Sequence, residues 1–514
     1  MGIFGAKKEE IPPHPRREPR FEGPLTPDRV ADIFADCVDF SRRTVWLNND
    51  PNKPVELFTI QGQVRAERAS DYLLRPMAQN EALSRAATPE EAFRLMKDGG
   101  IYALTVMERT TLDEAVFDLI DGWAVVFFPG KETALSYSVA TEEKRSVSDP
   151  ENEPDVKGAR DSFVESVRTN TSLVRRRFRA PELKIREYKV GRQSVTPVDI
   201  LYIEGLTDPR LVEEAVRRVD RIDIDALLTT GNIEEYIVDE VDTAFPLVAY
   251  TQRPDRFCSG LVEGRVGIIA DGLPMGYLVP GTIDRFLSAG QDKTSNWMVA
   301  SALKVMRWLC VLVTLFLPAL YISAVVFQPE MIPLRLAQSI IDAKANVPFS
   351  TLTEVLVMLV AFEVLQEAGV RLPSSIGQTV SILGGLVVGS AAVEARIVSP
   401  AVLVVVAIAG IAGYTIPSQD FSGAIRLCRF GLAILAGIAG LTGTMLGGIF
   451  LVIRLASLES FGVPYLTPFA SSPGEQKEGH TVLRQPLTRT KLRPAYLRTR
   501  NRRNQGPTFS REKK

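Results

Sequence analysis

Four apolar runs between residues 308 and 453 constrain this chain more than any other feature. The first, 308–327, carries no formal charge over about 20 residues, the length an α-helix needs to cross a hydrocarbon layer about 30 Å thick. Runs 376–393, 398–416 and 430–453 follow the same pattern. One such run fits the buried helix of a large soluble protein; four in succession predict an integral membrane domain. Segment 351–370 is also apolar but contains Glu354, Glu363 and Glu367. Turning three carboxylates toward lipid is costly, so this segment is expected to be an interfacial, re-entrant or interior helix in addition to four spans.

A net charge of -1 conceals an asymmetry. Residues 475–514 hold 12 Lys/Arg against 3 Asp/Glu, leaving the rest of the chain about as acidic as the tail is basic. Lys293, Lys304 and Arg307 flank the first run, and Arg454 and the basic tail follow the last. Lys and Arg favour the cytoplasmic side of a membrane, so both ends are expected there, which requires an even number of crossings. Residues 1–27 are Pro-rich and charged, without the apolar core of a secretory signal, again predicting a cytoplasmic head. Cys37, Cys258, Cys310 and Cys428 show neither pairing nor metal spacing and read as small apolar residues in a reducing compartment.

The region ahead of the apolar runs repeats itself. Val55-Glu-Leu-Phe-Thr-Ile-Gln-Gly62 parallels Val198-Asp-Ile-Leu-Tyr-Ile-Glu-Gly205, each an alternating strand pattern that ends at glycine and leads into a helical pattern. Further on, Ile120-Asp-Gly122 and Val262-Glu-Gly264 open second matching strands. The offset between copies, 143 and then 142 residues, holds register. The expected plan is a disordered extension (1–27), two related α/β subdomains (28–145 and 181–295) joined by a linker and helix (146–180), a helical membrane domain (303–466) and a disordered basic cytoplasmic tail (467–514). Within the head, Thr88-Pro-Glu-Glu91 reads as a capping box, Asp208-Pro209 as a helix start and Asp271-Gly272 as a hairpin turn. Arg175-Arg-Arg-Phe-Arg179 ends a helix expected over 159–179, where positive charge favours the helix dipole.

Catalytic chemistry is hard to place. The only histidines, His14 and His480, lie in the two termini, which excludes a histidine triad or histidine metal site inside either domain. Neither a phosphate-binding loop nor a full dinucleotide fingerprint occurs. Acid pairs Asp223/Asp225 and Glu234/Glu235 read as solvated surface. No enzyme activity, cofactor or metal is expected.

Small residues recur in the apolar region at the spacing that lets helix backbones approach, as in Gly385-x-x-x-Gly389 and Gly443-x-x-x-Gly447. Packing suffices to explain Gly389, Gly443 and Gly447. The functional alternative is a conduit lined by Gln378, Ser381, Gly385 and Ser390, with Glu363 and Glu367 before it and Glu394 after it attracting cations. The basic tail suits anionic lipid at about 1 kcal/mol per well-placed charge; nucleic acid is not expected as a partner.

Several longer strings occur in order: Val156-Lys-Gly-Ala-Arg-Asp-Ser-Phe163, Thr169-Asn-Thr-Ser-Leu-Val-Arg-Arg-Arg177, Glu263-Gly-Arg-Val-Gly-Ile-Ile-Ala-Asp-Gly272, Glu367-Ala-Gly-Val-Arg-Leu-Pro373, Ile376-Gly-Gln-Thr-Val-Ser-Ile-Leu-Gly384, Ala392-Val-Glu394 and Phe461-Gly-Val-Pro-Tyr-Leu466. With them the chain resembles the A subunit of the GerA family of bacterial spore germination receptors over about residues 155–470. The resemblance implies a place in the inner spore membrane, beside a transporter-like B subunit that binds nutrient and a lipoprotein C subunit. It also implies a homo-oligomeric ring, a pentamer, working as a nutrient-gated ion channel. A non-conducting scaffold or transducer and a secondary transporter are the competing readings. The chain departs from the family pattern at Ala159, where proline is common, and in its longer tail.

Overall fold

Alternating apolar residues build two five-stranded sheets with one strand order. The computed structural model describes residues 21–86, 88–99, 101, 105–140, 158–229, 231–371, 389–470, 483–487, 490 and 492–504. Strands β1 (Phe40–Trp46), β2 (Pro54–Ile60), β3 (Val106–Arg109), β4 (Trp123–Phe127) and β5 (Ala134–Ser138) form a sheet ordered β1-β2-β4-β5-β3. Strands β6 (Leu183–Val190), β7 (Thr196–Ile203), β8 (Ala249–Thr251), β9 (Val266–Ala270) and β10 (Gly276–Val279) form another ordered β6-β7-β9-β10-β8, the same arrangement shifted by five. The two repeated motifs become β2 and β7, the second strand of each sheet. Their terminal glycines, Gly62 and Gly205, have φ of 78° and 73°; Gly122 and Gly264, ahead of β4 and β9, have 86° and 104°. A side chain there would cost about 1–2 kcal/mol, so the repeated glycines answer one backbone requirement in both sheets.

Period-two alternation gives the first sheet two apolar faces. Leu57, Val126 and Leu135 pack with Phe93 and Met96 of helix α1 (Pro89–Lys97), whereas Phe58, Val125 and Phe127 pack with Val116 and Leu119 of α2 (Leu112–Ile120). Thr88 caps α1 by accepting from the Glu91 amide at 3.3 Å. Helix α3 (Val167–Arg177) links the sheets, and α4 (Pro209–Asp220) and α5 (Pro254–Glu263) accompany the second. Asp208 caps α4 through the Arg210 amide at 3.0 Å, and Asp271-Gly272 separates the antiparallel strands β9 and β10.

Helix α3 starts eight residues later than its periodicity suggested. The Phe163 amide donates to Gln252 O at 2.8 Å, and the Asn170 side chain both accepts from the Val164 amide and donates to its carbonyl. These bonds hold the preceding segment out of the helix. The basic end of α3 is likewise more than a dipole complement. Arg175 is fully buried, bidentate on Asp39 at 2.7 and 2.9 Å, with a third bond to Leu183 O at 3.0 Å. Asp39 immediately precedes β1 and Leu183 opens β6, so one guanidinium bolts the two sheets together. Arg177 pairs with Asp161 and Arg179 with Asp121.

Glu187 and Asp199 face each other directly across β6 and β7, and Arg168 from α3 bridges both carboxylates. Burial pushes Asp199 up to about 7 against the opposing pull of Arg168, and the Glu187 charge adds to the rise. A carboxyl held above its unfolded value stabilises the fold fully below about pH 4, and that contribution is lost as pH climbs through 7. Asp199→Asn is therefore expected to flatten the fall in thermal stability between pH 5 and pH 8, by on the order of 1–3 kcal/mol. Melting curves of both proteins across that range check it; parallel curves would refute the assignment.

By contacts the chain divides into two units, one comprising Met1–Val238, Tyr250–Pro280 and Pro486–Lys514, the other Asp239–Ala249 and Gly281–Gln485. The second is helical: α6 (Trp297–Val326), α7 (Leu334–Lys344), α8 (Thr351–Arg371), α9 (Pro400–Gly413) and α10 (Gln419–Ser457). Helix α10 breaks at Gly440, whose φ of 60° and ψ of -140° are open essentially to glycine alone. Beyond it the chain folds back. A Cβ on Gly443 would overlap the Leu435 carbonyl, and one on Gly447 would meet Leu432 and Leu435. On a straight helix residues 432 and 447 would stand about 22 Å apart. The run 430–453, expected to be one span, is instead the distal part of two antiparallel arms, 419–439 and 441–457.

Candidate functional site

The candidate site lies among the helices of the second unit, and its carboxylates are held by protein. Glu354, near the start of α8, is 1% exposed and accepts from the Ser399 amide at 2.8 Å. Glu363, two and a half turns on, accepts from Arg426 at 2.7 Å and lies 3.7 Å from Arg429. Both arginines belong to the first arm of α10, and Arg429 is 3% exposed. Val357, Val360 and Val364 occupy an outward stripe of α8. Glu354 and Glu363 thus meet protein partners inside the bundle, as an apolar surrounding demands, whereas Glu367 is exposed.

Two hydroxyl contacts join the other helices. Thr314 of α6 donates to Ala409 O of α9 at 3.2 Å, and Ser323 of α6 meets Thr444 of α10 at 3.0 Å. Leu309, Leu312 and Leu320 of α6, Ile408 and Ile411 of α9, and Ile438, Leu446 and Phe450 of α10 are exposed. Among the described residues two helices, Trp297–Val326 and Gln419–Ser457 with its two arms taken together, are long and apolar enough to cross a membrane by length and composition.

The base of α6 is fixed by ion pairs. Lys304 donates to Asp284 at 2.7 Å and Arg307 to Asp292 at 2.6 Å, and both cations are buried. These two residues, read from sequence as flanking charge, are thus neutralised in place. Beside them Phe286 stacks with Phe421 and Tyr465, and Phe245 packs on the same two rings. Phe421 opens the first arm of α10, and Arg454 closes the second by binding Glu240 and Asp242 O. The tip at Gly440 lies against Phe327, one residue past the other end of α6. Each arm therefore runs alongside α6, in opposite senses.

Of the residues expected to line a conduit, Gln378, Ser381 and Gly385 lie outside the described residues. Ser390 and Glu394 are exposed, and Glu363 is tied to two arginines instead of standing free for a cation. Gly389 is buried against Leu403 of α9, and Gly443 and Gly447 lie between the two arms of α10, as packing requires. Among the described residues no cluster of His, Cys, Asp and Glu could hold a metal ion. Burial pushes the Cys258 thiol up to about 12, which keeps it protonated, and the exposed Asp223 pairs with Arg192.

Residues 28–496 match the family described as Bacillus/Clostridium GerA spore germination protein. This chain belongs to the GerA family. It is 38% identical over 408 residues to the uncharacterized membrane protein YfkQ of Bacillus subtilis (strain 168), covering 79% of each chain. It is 34% identical to spore germination protein KA of the same organism, over 90% of this chain and 84% of that one. Spore germination protein B1, also from Bacillus subtilis, is 34% identical over 87% and 91%. The crystal structure of the N-terminal domain of the A subunit of the Bacillus megaterium spore germinant receptor GerK3 is similar with a TM-score of 0.37 and 25% identity, over 49% of this chain and 91% of that one.

For this GerA-family chain, sequence reasoning missed Arg426 and Arg429 because it began the last apolar run after them. The usable signal was complementarity: two arginines three residues apart on one helix face, and carboxylates on an otherwise apolar neighbour. Nothing local marks the pairs at Lys304 and Arg307, whose partners lie 20 and 15 residues away.

Proposed function

We propose that the chain is the A subunit of a nutrient germinant receptor, embedded in the inner spore membrane with head and tail in the cytoplasm. It acts with a B subunit and a lipoprotein C subunit, and it oligomerises into a ring, a pentamer, that conducts ions when nutrient is bound. The carrying observation is the family match, which runs through both the sheets and the helices. The shared strand order supports reading the head as a duplicated unit.

The packing favours six crossings over four. Glu354 near the start of α8 bonds Ser399 just before α9, so these helices begin at one end and run the same way. The apolar run 376–393 lies between them in the sequence, and its composition makes it the expected intervening crossing. With α6 and the two arms of α10 the total is even, which keeps head and tail on one side as their charges require. In this reading Glu363 is a structural countercharge, and Ser390 and Glu394 remain the accessible polar residues toward the conduit.

Reconstitution with the B and C subunits in planar bilayers tests the assignment. The expected result is a cation current that appears on nutrient addition, from an assembly whose measured mass requires several copies. A monomer with no current in the presence of both partners would overturn it.

A further inference from the structure

The basic tail, expected to be disordered and lipid-bound, is built into the first unit over residues 492–504. Leu492 and Arg503 form an antiparallel bridge, the Arg493 amide donates to Arg502 O at 2.7 Å, and the Arg493 guanidinium reaches Asn501 O at 2.9 Å and Arg503 O. These bonds close the segment on itself as a small clasp. At its tip, Ala495–Leu497 makes a tight turn and Arg498 takes a φ of 48°.

The clasp sits on the second subdomain. Arg493 Nε donates to Val262 O at 2.8 Å, the Arg500 amide donates to Leu206 O at 3.0 Å, and the Tyr496 hydroxyl accepts from Arg265 at 3.1 Å. Leu497 and Thr499 are 3% and 5% exposed, with the Thr499 methyl over Gly264 where any added Cβ would collide. Arg498, Arg500, Arg502 and Arg503 point outward. Two observations distinguish this from ordinary core. The clasp is internally hydrogen-bonded, and two of its polar contacts on the subdomain go to backbone carbonyls, Leu206 O at a turn and Val262 O at a helix end. Such groups would simply be hydrated if the clasp left, at little desolvation cost.

We propose that the surface formed by Leu206, Val262, Gly264 and Arg265 is a peptide-docking site whose ligand is the chain's own clasp. Docking returns the end of the chain, after the last long helix, to the unit that holds the two sheets. Tethering raises the local concentration of the clasp, so few contacts suffice to keep it seated.

The test uses the chain truncated after Gln485 and a fluorescent peptide spanning residues 490–506. The peptide is expected to bind the truncated chain, to bind the intact chain at least about tenfold more weakly because the tethered clasp occupies the site, and to lose binding when it carries Leu497→Asp. Equal binding to both chains, or binding that Leu497→Asp leaves unchanged, would show mere cationic adhesion and overturn the proposal, as would no binding to a truncated chain of unaltered melting profile. Should truncation unfold the chain, hydrogen exchange decides. Leu497→Asp in the intact protein must then speed exchange at residues 492–504 and leave β6–β10 protected; unchanged exchange in the clasp sinks the idea.

Discussion

Asp39→Ala is expected to destabilise the soluble unit by about 3–5 kcal/mol, because it strands the fully buried Arg175 guanidinium without its counterion. The geometry argues for the upper part of that range. Both carboxylate oxygens are engaged, at 2.7 and 2.9 Å, and neither partner is reached by solvent. Arg175→Lys should be nearly as harmful, since a single ammonium cannot make the fork contact and reach Leu183 O as well. Replacing both residues together by Leu and Met should recover much of the loss, because the cost lies in the uncompensated charge more than in the missing attraction. Thermal unfolding of the single and double variants measures this directly. If Asp39→Ala melts with the parent chain, the two sheets are not bolted through this pair.

Glu363→Leu should destabilise the helical unit in the same way, by a smaller amount. It leaves Arg426 and the buried Arg429, side by side on one helix, without their shared carboxylate. Because Glu363 is 36% exposed and Arg426 22%, screening holds the cost below that of a fully buried pair, on the order of 1–3 kcal/mol. We expect a sharp fall in the yield of monodisperse protein in detergent and a lower unfolding temperature. The triple variant, with Arg426→Leu and Arg429→Leu added, should restore both. Recovery by the triple variant separates a structural countercharge from a conducting carboxylate. If Glu363→Leu folded normally and altered only ion flux, Glu363 would be lining a conduit after all.

Much of the soluble unit could be read ahead of its coordinates because its signals are local. The β2 and β7 motifs alternate with period two and end at glycines that the backbone needs at positive φ, and both strands form where expected. Thr88 and Asp208 cap their helices through bonds that span two or three residues. The start of α3 could not be read that way. Its N-terminal segment is helical by pattern, but Gln252, far along the chain, offers the Phe163 amide a carbonyl, and that bond competes successfully. The same limit applied to Arg175, which looked like a dipole complement because its partner Asp39 is 136 residues distant.

In the helical unit, composition alone established which segments are apolar enough to leave water, since burial free energy follows residue type. Apolarity says nothing about where a helix reverses. A single glycine at 440, in a conformation no other residue adopts cheaply, turned one expected span into two arms, as its dihedrals and the close approach of Gly443 and Gly447 to Leu432 and Leu435 of the first arm reveal. The fate of Glu354, Glu363, Arg426 and Arg429 was decided by tertiary structure too, because whether a charge is tolerable in an apolar helix depends on what stands opposite it.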